Sequence, residues 1–181
     1  VLFALLMINK TSWNGAILQS LSHGFMTALF FALIGMIYGR THTRDVTKMG
    51  GLLKVIPFIS LMYVIAGLAS LGLPGFSGFM AEMQIFVGAF EHPDMFHRVA
   101  TIITVSAIVV TAVYILRVVG MMLMGPVAQP EYFSFGKVTW YEKTGVLLLL
   151  IPIVFMGVTP LWLSDLIRES LEPFIRHMAQ V

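Results

Sequence analysis

The feature that most constrains this chain is the length of its uncharged segments. No residue between Lys10 and Arg40 is Asp, Glu, Lys or Arg, and between Lys54 and Glu91 the only one is Glu82. An α-helix needs about 20 predominantly apolar residues to cross the hydrocarbon core of a bilayer. Backbone polar groups in lipid must be hydrogen-bonded within the protein, and a helix achieves this within one segment. The pattern therefore predicts an all-α, polytopic transmembrane helical bundle.

The composition supports this prediction. Hydrophobic residues make up 58% of the 181 residues and charged residues 11%, and the mean hydropathy is +0.90. A soluble domain carries about 25% charged residues, so too few polar side chains remain here to cover a water-facing surface. The net charge of +2 does not indicate nucleic-acid binding. The sequence has no cysteine, which excludes disulfides, thiolate metal sites and cysteine nucleophiles.

Four apolar segments are expected to span the membrane, at residues 13–38, 53–90, 99–124 and 144–163. Residues 1–8 are apolar but too few to cross a bilayer, which favours the end of a longer helix. The chain is therefore expected to be a single transmembrane domain, 1–181, that is a fragment of a longer protein. The tail, 164–181, mixes charged and apolar residues and is expected to be an amphipathic interfacial helix, broken at Pro173.

The charges of the short loops predict the orientation. The loop after the first span is basic and carries Arg40, Arg44, Lys48 and Lys54 against one Asp45. Cytoplasmic loops carry an excess of Lys and Arg, so this loop is expected on the cytoplasmic side. The loop at 91–98 has two acidic residues and one Arg, and it is expected outside, as is the C-terminus by alternation.

The second apolar segment is too long for one straight helix, and small or imino residues interrupt it. These are Gly72, Pro74, Gly75 and Gly78. Proline removes a backbone donor and glycine relaxes the backbone. Freed backbone groups at bilayer depth are tolerated only inside protein or beside a water-filled cavity, and broken helices recur at transporter ion sites. The sequence predicts one discontinuous helix, broken near 72–78; a proline kink that serves packing alone is the alternative.

Glu82 follows the predicted break and is the first candidate site residue. A charged carboxylate at mid-membrane is unfavourable by roughly 2.5 kcal/mol or more, so such a group can carry a proton near neutral pH and still release it. A carrier in a proton path requires this property. Helical spacing puts Gly75, Gly78 and Ala89 near the same face, which predicts close approach by a helix or by water. The structural alternative is a carboxylate that caps the broken helix or pairs with a lysine.

His23 is the second candidate, because it lies in the charge-free first span. Gln19 and Thr27 lie four residues before and after it, so the three share one helical face. Histidine titrates near neutrality and suits a proton relay; a hydrogen-bonded structural histidine is the alternative. Thr111, in the third span, is expected to line a hydrated path.

The sequence predicts no catalytic, cofactor-binding or metal-binding residue. There is no phosphate-binding loop or nucleophile elbow. The other histidines are expected at the surface, in loops or in the tail: His42, His92, His97 and His177.

Three stretches resemble the antiporter-like subunits of respiratory complex I. They are LSHGFMTALFFALIGMIYGRTHTRD at 21–45, MGGL at 49–52 and ASLGLPGFSGFMAEMQIFVGAF at 69–90. Within that family the resemblance is to the C-terminal part of the M-type chain (chain M, or subunit 4) of NADH-quinone oxidoreductase. The L-type and N-type chains, and the multisubunit cation/proton antiporters, usually carry lysine where this chain has Glu82, which favours the M-type.

The resemblance implies fourteen helices in two inverted five-helix repeats, of which this chain would hold the end of the tenth helix and the eleventh to fourteenth. It implies that Glu82 is the glutamate at the outer end of the proton path. It also implies that His23 is the histidine of the central hydrophilic axis. The family's glutamate–lysine pair and a further lysine lie in earlier helices, and no residue of this chain corresponds to them.

The expected function is proton translocation within a redox-driven NADH:quinone oxidoreductase, with no redox centre in this chain. The resemblance implies that NADH, FMN, iron–sulfur clusters and quinone belong to the rest of the complex. The expected partners are the L-type and N-type chains and the lipid bilayer of a bacterial plasma membrane, or of a mitochondrial inner or thylakoid membrane. A subunit of a cation/proton antiporter and a membrane scaffold with only packing roles are the alternatives.

Overall fold

The structure, a computed structural model, describes residues 1–178, with side chains as far as residue 173. Its described residues form helices and loops, with no strand among them. Three helices are long and apolar enough to cross a bilayer: Lys10–Thr41, Met95–Leu123 and Trp140–Val158. The predicted all-α membrane bundle, with a discontinuous helix and an amphipathic C-terminal helix, is confirmed.

The helices follow one another along the chain with short connections. They are α1 (Leu2–Leu6), α2 (Lys10–Thr41), α3 (Leu52–Val55), α4 (Pro57–Ser70), α5 (Ser77–Phe90), α6 (Met95–Leu123), α7 (Trp140–Val158) and α8 (Leu161–Met178). Short 3₁₀ turns lie at Val46–Lys48 and Pro130–Ser134. The helices α2 and α6 begin before their apolar segments because polar residues cap them: the side chains of Asn9 and Asp94 accept hydrogen bonds from backbone amides of the first turn.

The helix α2 runs antiparallel to α4 and α5 and packs against both. Near its start, the Ser12 hydroxyl donates to the Ile85 carbonyl of α5 at 3.3 Å. Near its middle, the Phe30 ring meets the Tyr63 ring of α4 edge to face, with centroids 5.4 Å apart. The first half of α2 therefore faces α5, and the second half faces α4.

The contact between α2 and α5 depends on a small residue. A Cβ at Gly15 would lie 2.8 Å from the backbone nitrogen of Ile85 and 2.9 Å from the carbonyl oxygen of Ala81. Those distances are below normal van der Waals contact, so a side chain at residue 15 would force the two backbones apart. Small residues that permit such approach are typical of helix interfaces in membranes.

The helical path between α4 and α5 is interrupted at residues 71–76. Gly72 and Gly75 have φ angles of +67° and +98°, in the left-handed region that favours glycine. The backbone of Gly75 and Phe76 packs directly against Gly157 of α7, where no side chain would fit. Gly78 lies in the first turn of α5 rather than in the interruption, because helical structure resumes at Ser77.

The last helix, α8, is amphipathic and lies against α2. Ile167 packs into a buried cluster with Leu18 of α2 and Ala81 of α5. Asp165 and Arg168 lie on the exposed side.

The break predicted at Pro173 is wrong, since α8 continues through it to Met178. Proline has no N–H, so the carbonyl group one turn before Pro173 has no helical donor. Because Pro173 is exposed, this carbonyl group lies on the exposed side of the helix. Residues 179–181 of the predicted tail, and the side chain of His177, lie outside the described part.

The helix α6 is the least covered of the three long apolar helices. In its most apolar stretch of 18 residues, 6% of the residues are buried, against 28% for α2 and 22% for α7. It contacts the rest of the bundle along one side, where Ile115 approaches Gly67 of α4. Its opposite side is apolar and exposed: Ile102, Ile103, Val109, Val110, Val113 and Leu116. Between α6 and α2, the packing leaves space that polar side chains line.

Candidate functional site: two adjoining polar clefts

The helix α2 carries two sets of polar side chains, and the first set, which is spread over more than one face, is bonded to neighbouring helices. Ser12 reaches α5, as described above. Asn14 Nδ2 donates to Ser164 Oγ of α8 at 2.5 Å, and the hydroxyls of Ser22 and Ser77 lie 2.6 Å apart. Ser12, Asn14 and Ser22 are fully buried. We call these three residues the paired set.

The second set, which we call the open row, consists of Gln19, His23 and Thr27. Thr27 Oγ1 lies 3.3 Å from His23 Nε2 within the same helix. Among the described residues, none on another helix forms a hydrogen bond with a side chain of this row. Gln19 Oε1 is buried without a partner in the described part. Since buried polar atoms are normally satisfied by protein or by water, this oxygen indicates a place for water.

A cleft of about 230 Å³ surrounds the side chain of Glu82, between α2, α4, α5 and α6. Its polar lining consists of Gln19, Ser70, Glu82, Thr104 and Thr111. A site needs roughly 10–15 Å³ of such volume to hold one water, so this cleft has room for several. Thr111, expected from the sequence to line a hydrated path, lies in this Glu82 cleft.

The carboxyl group of Glu82 is half-buried and forms no hydrogen bond or ion pair with any residue in the described part of the chain. It lies against Gly72, where a Cβ would overlap Glu82 Oε2. The expectation that Gly75 shares the face of Glu82 is wrong, because Gly75 precedes the start of α5. Gly72, across the interruption, is the small residue that lets the carboxyl group approach the backbone.

A second cleft, of about 400 Å³, contains His23. Its polar lining consists of Gln19, His23, Thr27, Tyr63, Ser70 and Tyr114. Gln19 and Ser70 line both clefts. The His23 cleft and the Glu82 cleft therefore adjoin, and these two side chains form their common wall.

The hydroxyl groups of the Glu82 cleft are arranged as acceptors. Ser70, Thr104 and Thr111 each donate to a carbonyl in the preceding turn of their own helix, at 2.8, 2.8 and 3.2 Å. Their oxygen lone pairs remain available to water. The sequence analysis did not identify Ser70 as a site residue. The sequence feature that could have identified Ser70 is its position next to the predicted helix break, since it is the last residue of α4.

At the other end of α2, an ion pair connects this helix to α7. Arg40 donates to both carboxylate oxygens of Glu142, at 3.0 and 2.9 Å, and the two side chains are 14% and 19% exposed. Glu142 also accepts from the backbone amide of Thr139 at 2.8 Å and so caps α7. The sequence analysis used Arg40 only for orientation, because the pairing of distant loops is invisible to local patterns.

Residues 1–111 match the protein family described as "NADH:quinone oxidoreductase/Mrp antiporter, TM". The chain belongs to this family. The matched range includes Gln19, His23, Ser70, Glu82 and Thr111, and thus both sides of the common wall. Membership in this family and the long apolar helices make the chain part of a multi-pass integral membrane protein.

Curated relatives of this chain are bacterial NADH-quinone and NAD(P)H-quinone oxidoreductase subunits. The chain is 32% identical to NADH-quinone oxidoreductase subunit M of Rickettsia felis over 162 residues. These matched residues make up 90% of this chain and 32% of that protein. It is 32% identical to NAD(P)H-quinone oxidoreductase chain 4 2 of Synechococcus sp. strain JA-3-3Ab over an alignment of 188 residues. This alignment covers 99% of this chain and 35% of that protein. The chain thus spans about a third of the length of the curated relatives it matches.

Two solved structures share the fold. A chain of respiratory complex I from Thermus thermophilus superposes with a TM-score of 0.84 at 22% identity, over 96% of this chain and 36% of that chain. A chain of the Mrp complex from Dietzia sp. DQ12-45-1b superposes with a TM-score of 0.78 at 16% identity, over 91% and 38%. At these coverages the likeness in fold extends beyond residue 111.

Proposed function

We propose that this chain contributes the exit half of a proton path in a redox-driven NADH:quinone oxidoreductase, as part of its M-type subunit. The observation that carries this proposal is the common wall of Gln19 and Ser70, which joins the cleft of His23 to the cleft of Glu82. The family membership and the curated relatives support the type of complex.

In the proposed path, a proton reaches the His23 cleft from helices that precede this chain. His23 takes part because imidazole can accept a proton at one nitrogen and donate one from the other. Waters held by the acceptor oxygens of Gln19 and Ser70 carry the proton past the common wall. Glu82 accepts it there and later releases it.

Glu82 suits this role because no described residue forms a hydrogen bond or ion pair with its carboxyl group. A carboxylate held by an arginine or lysine would remain charged, whereas a carboxyl group beside water can alternate between both forms. A charge that appears or disappears nearby shifts the equilibrium between these forms, so the pump can be driven electrostatically. Release to the outside follows from the orientation predicted by the loop charges, which puts Glu82 in the outer half of its span.

The proposed setting is a bacterial plasma membrane, where the L-type and N-type chains and lipid surround this subunit. The redox groups, NADH, FMN, iron–sulfur clusters and quinone, belong in this proposal to other parts of the complex. The enzyme activity is accordingly that of the whole assembly, and this chain supplies proton-carrying side chains.

The test is proton uptake driven by quinone reduction in membrane vesicles that contain the full complex with Glu82→Gln. Glutamine keeps the size and polarity of the side chain but cannot bind and release a proton at neutral pH. We expect the variant to assemble and to lose most of its coupled proton transfer, by tenfold or more, which corresponds to about 1.4 kcal/mol or more in the barrier.

Glu131→Gln is the matched control, since Glu131 is an exposed residue of the α6–α7 loop. It removes the same charge outside the clefts and is expected to leave proton transfer unchanged. Assembly at the parent level with unchanged proton transfer in Glu82→Gln would contradict the proposal and favour a packing role.

A cation/proton antiporter is the second candidate, because the family also includes Mrp antiporters and the Dietzia structure shares the fold. It predicts sodium- or potassium-dependent proton movement in vesicles without any electron donor. The redox-driven pump predicts none under those conditions. The same vesicle preparation distinguishes the two.

A further inference from the structure

Three potential metal ligands come together at the junction of α5 and α6, and none of them lines either cleft. They are His92, Asp94 and His97, and one ligand atom from each lies within 4.8 Å of the others. The sequence analysis placed both histidines at the surface and predicted no metal site. In the structure both are partly exposed, with their rings stacked at a centroid distance of 4.3 Å.

The hydrogen bonds of the cluster fix which atoms remain available. His92 Nε2 donates to the carbonyl oxygen of Met7 at 2.6 Å, so its Nδ1 carries the lone pair. A histidine that ligates a metal usually donates its other N–H to a carbonyl or a carboxylate in this way, which fixes the tautomer. His92 is thus already held as a metal-ligating imidazole would be.

The other two residues share a proton at the position where an ion would bind. His97 Nδ1 lies 2.6 Å from Asp94 Oδ1. Asp94 Oδ2 lies 2.6 Å from the same nitrogen and accepts a hydrogen bond from the His97 backbone amide at 3.4 Å. For a divalent ion to bind at His97 Nδ1, the proton shared with Asp94 would move to Nε2, so the ligand would be the neutral imidazole and no proton would be lost.

The geometry points to a binding site for a divalent transition-metal ion, with Zn²⁺ as the best match, formed by His92, Asp94 and His97. Two imidazoles and one carboxylate are a known zinc ligand set, with water completing the tetrahedron. The stacked rings lie 16° from parallel, so the His97 ring must turn about its terminal torsion for both nitrogens to face one ion, while Met7 holds the His92 ring. That torsion is broad and permits the turn. Asp94 is exposed, which gives the ion an entry path from water.

A bound ion would join three separate parts of the chain. Asp94 and His97 lie at the start of α6, His92 follows the end of α5, and Met7 lies between α1 and α2. The loop charges predict that this end of the bundle faces outside, so that external Zn²⁺ would reach the site.

The experiment is a binding titration of the purified full complex with Zn²⁺ alone, and with Co²⁺ as a spectroscopic substitute, for the parent and three variants. Asp94→Asn and His97→Gln are the test variants. Asparagine is as good a helix cap as aspartate, so Asp94→Asn preserves the start of α6 while it weakens the ligand. His42→Gln is the control. His42 is an exposed histidine directly after the end of α2, whereas the cluster lies near the start of α2.

We expect the parent and His42→Gln to bind one more Zn²⁺ per complex than the two test variants, and to show the additional Co²⁺ absorption of a tetrahedral site. Binding is measured without turnover, so the result does not depend on the proposed proton path. Equal Zn²⁺ stoichiometry and equal Co²⁺ spectra in all four proteins would overturn the inference and leave the cluster as a helix cap only.

Discussion

The two polar sets of α2 differ in what their side chains contact. The paired set bonds to α5 and α8 through buried groups, whereas the open row faces the clefts and bonds to none of those helices in the described part. Both sets lie in the same uncharged segment, and hydropathy does not distinguish them. Their difference lies entirely in the neighbouring helices.

The comparison teaches that a polar residue within an apolar helix has no functional meaning until its partner is known. A buried hydroxyl that meets another hydroxyl stabilises the helix interface. Gln19 Oε1 and Asn14 Oδ1 are both buried without a partner in the described part, but only Gln19 lines the two clefts, where its oxygen indicates a place for water. Three predictions test this division, and they are ordered from the largest expected effect to the smallest.

The first prediction breaks the packed side of α2 with Gly15→Ala. The added methyl group would press on the backbone of α5 at Ile85 and Ala81. We expect a destabilisation of about 1–3 kcal/mol from overpacking, although alanine is the better helix former by about 1 kcal/mol. The thermal midpoint of the purified complex, or the yield of assembled subunit, measures it.

The matched control for this change is Gly24→Ala, since nothing in the described chain lies within 4 Å of a Cβ at Gly24. It makes the same substitution in the same helix and is expected to be neutral or slightly stabilising. Equal midpoints for the two variants would mean that the close approach at Gly15 is not the contact that holds α2 to α5.

The second prediction breaks the open row with Gln19→Leu. Leucine has a similar volume but no polar atom, so water should leave the common wall of the two clefts. We expect coupled proton transfer to fall about tenfold, equivalent to about 1.4 kcal/mol in the barrier, with assembly unchanged. Ser20→Ala, on the exposed neighbouring residue, should keep the parent rate in the same vesicle assay.

The third prediction sharpens the comparison through the hydroxyl pair of Ser22 and Ser77. Each single change to alanine leaves one buried hydroxyl without its partner and should lower stability by about 1 kcal/mol. The double variant should lose less than the sum, because both hydroxyls are gone together. Proton transfer should stay at the parent level in all three variants. A lower rate of proton transfer would indicate that this hydroxyl pair belongs to the proton path.

Much of the fold could be predicted from the sequence because lipid permits few solutions. Long uncharged segments allow helices, and the cluster of glycine and proline after Leu71 identifies the discontinuous helix. The spacing of Gln19, His23 and Thr27 could identify one face of α2, since all three lie within a single helix.

The common wall could not be predicted in this way. Ser70 and Gln19 are 51 positions apart, and local spacing contains no information on which helix faces them. The same limit applies to the pairing of Arg40 with Glu142 and to the approach of Met7 to His92. The continuation of α8 through Pro173 was also missed, because proline is a strong breaker only where the freed carbonyl lacks water.

The contact between Gly157 and the interrupted segment has a mechanical consequence. The backbone of Gly75 and Phe76 rests on α7 at a residue without a side chain. Straightening the junction of α4 and α5 in that direction would drive one backbone into the other. We therefore expect the angle between these half-helices to change only together with the position of α7. In the proposed proton path, a displacement of α7 would then change the separation of Ser70 from Glu82.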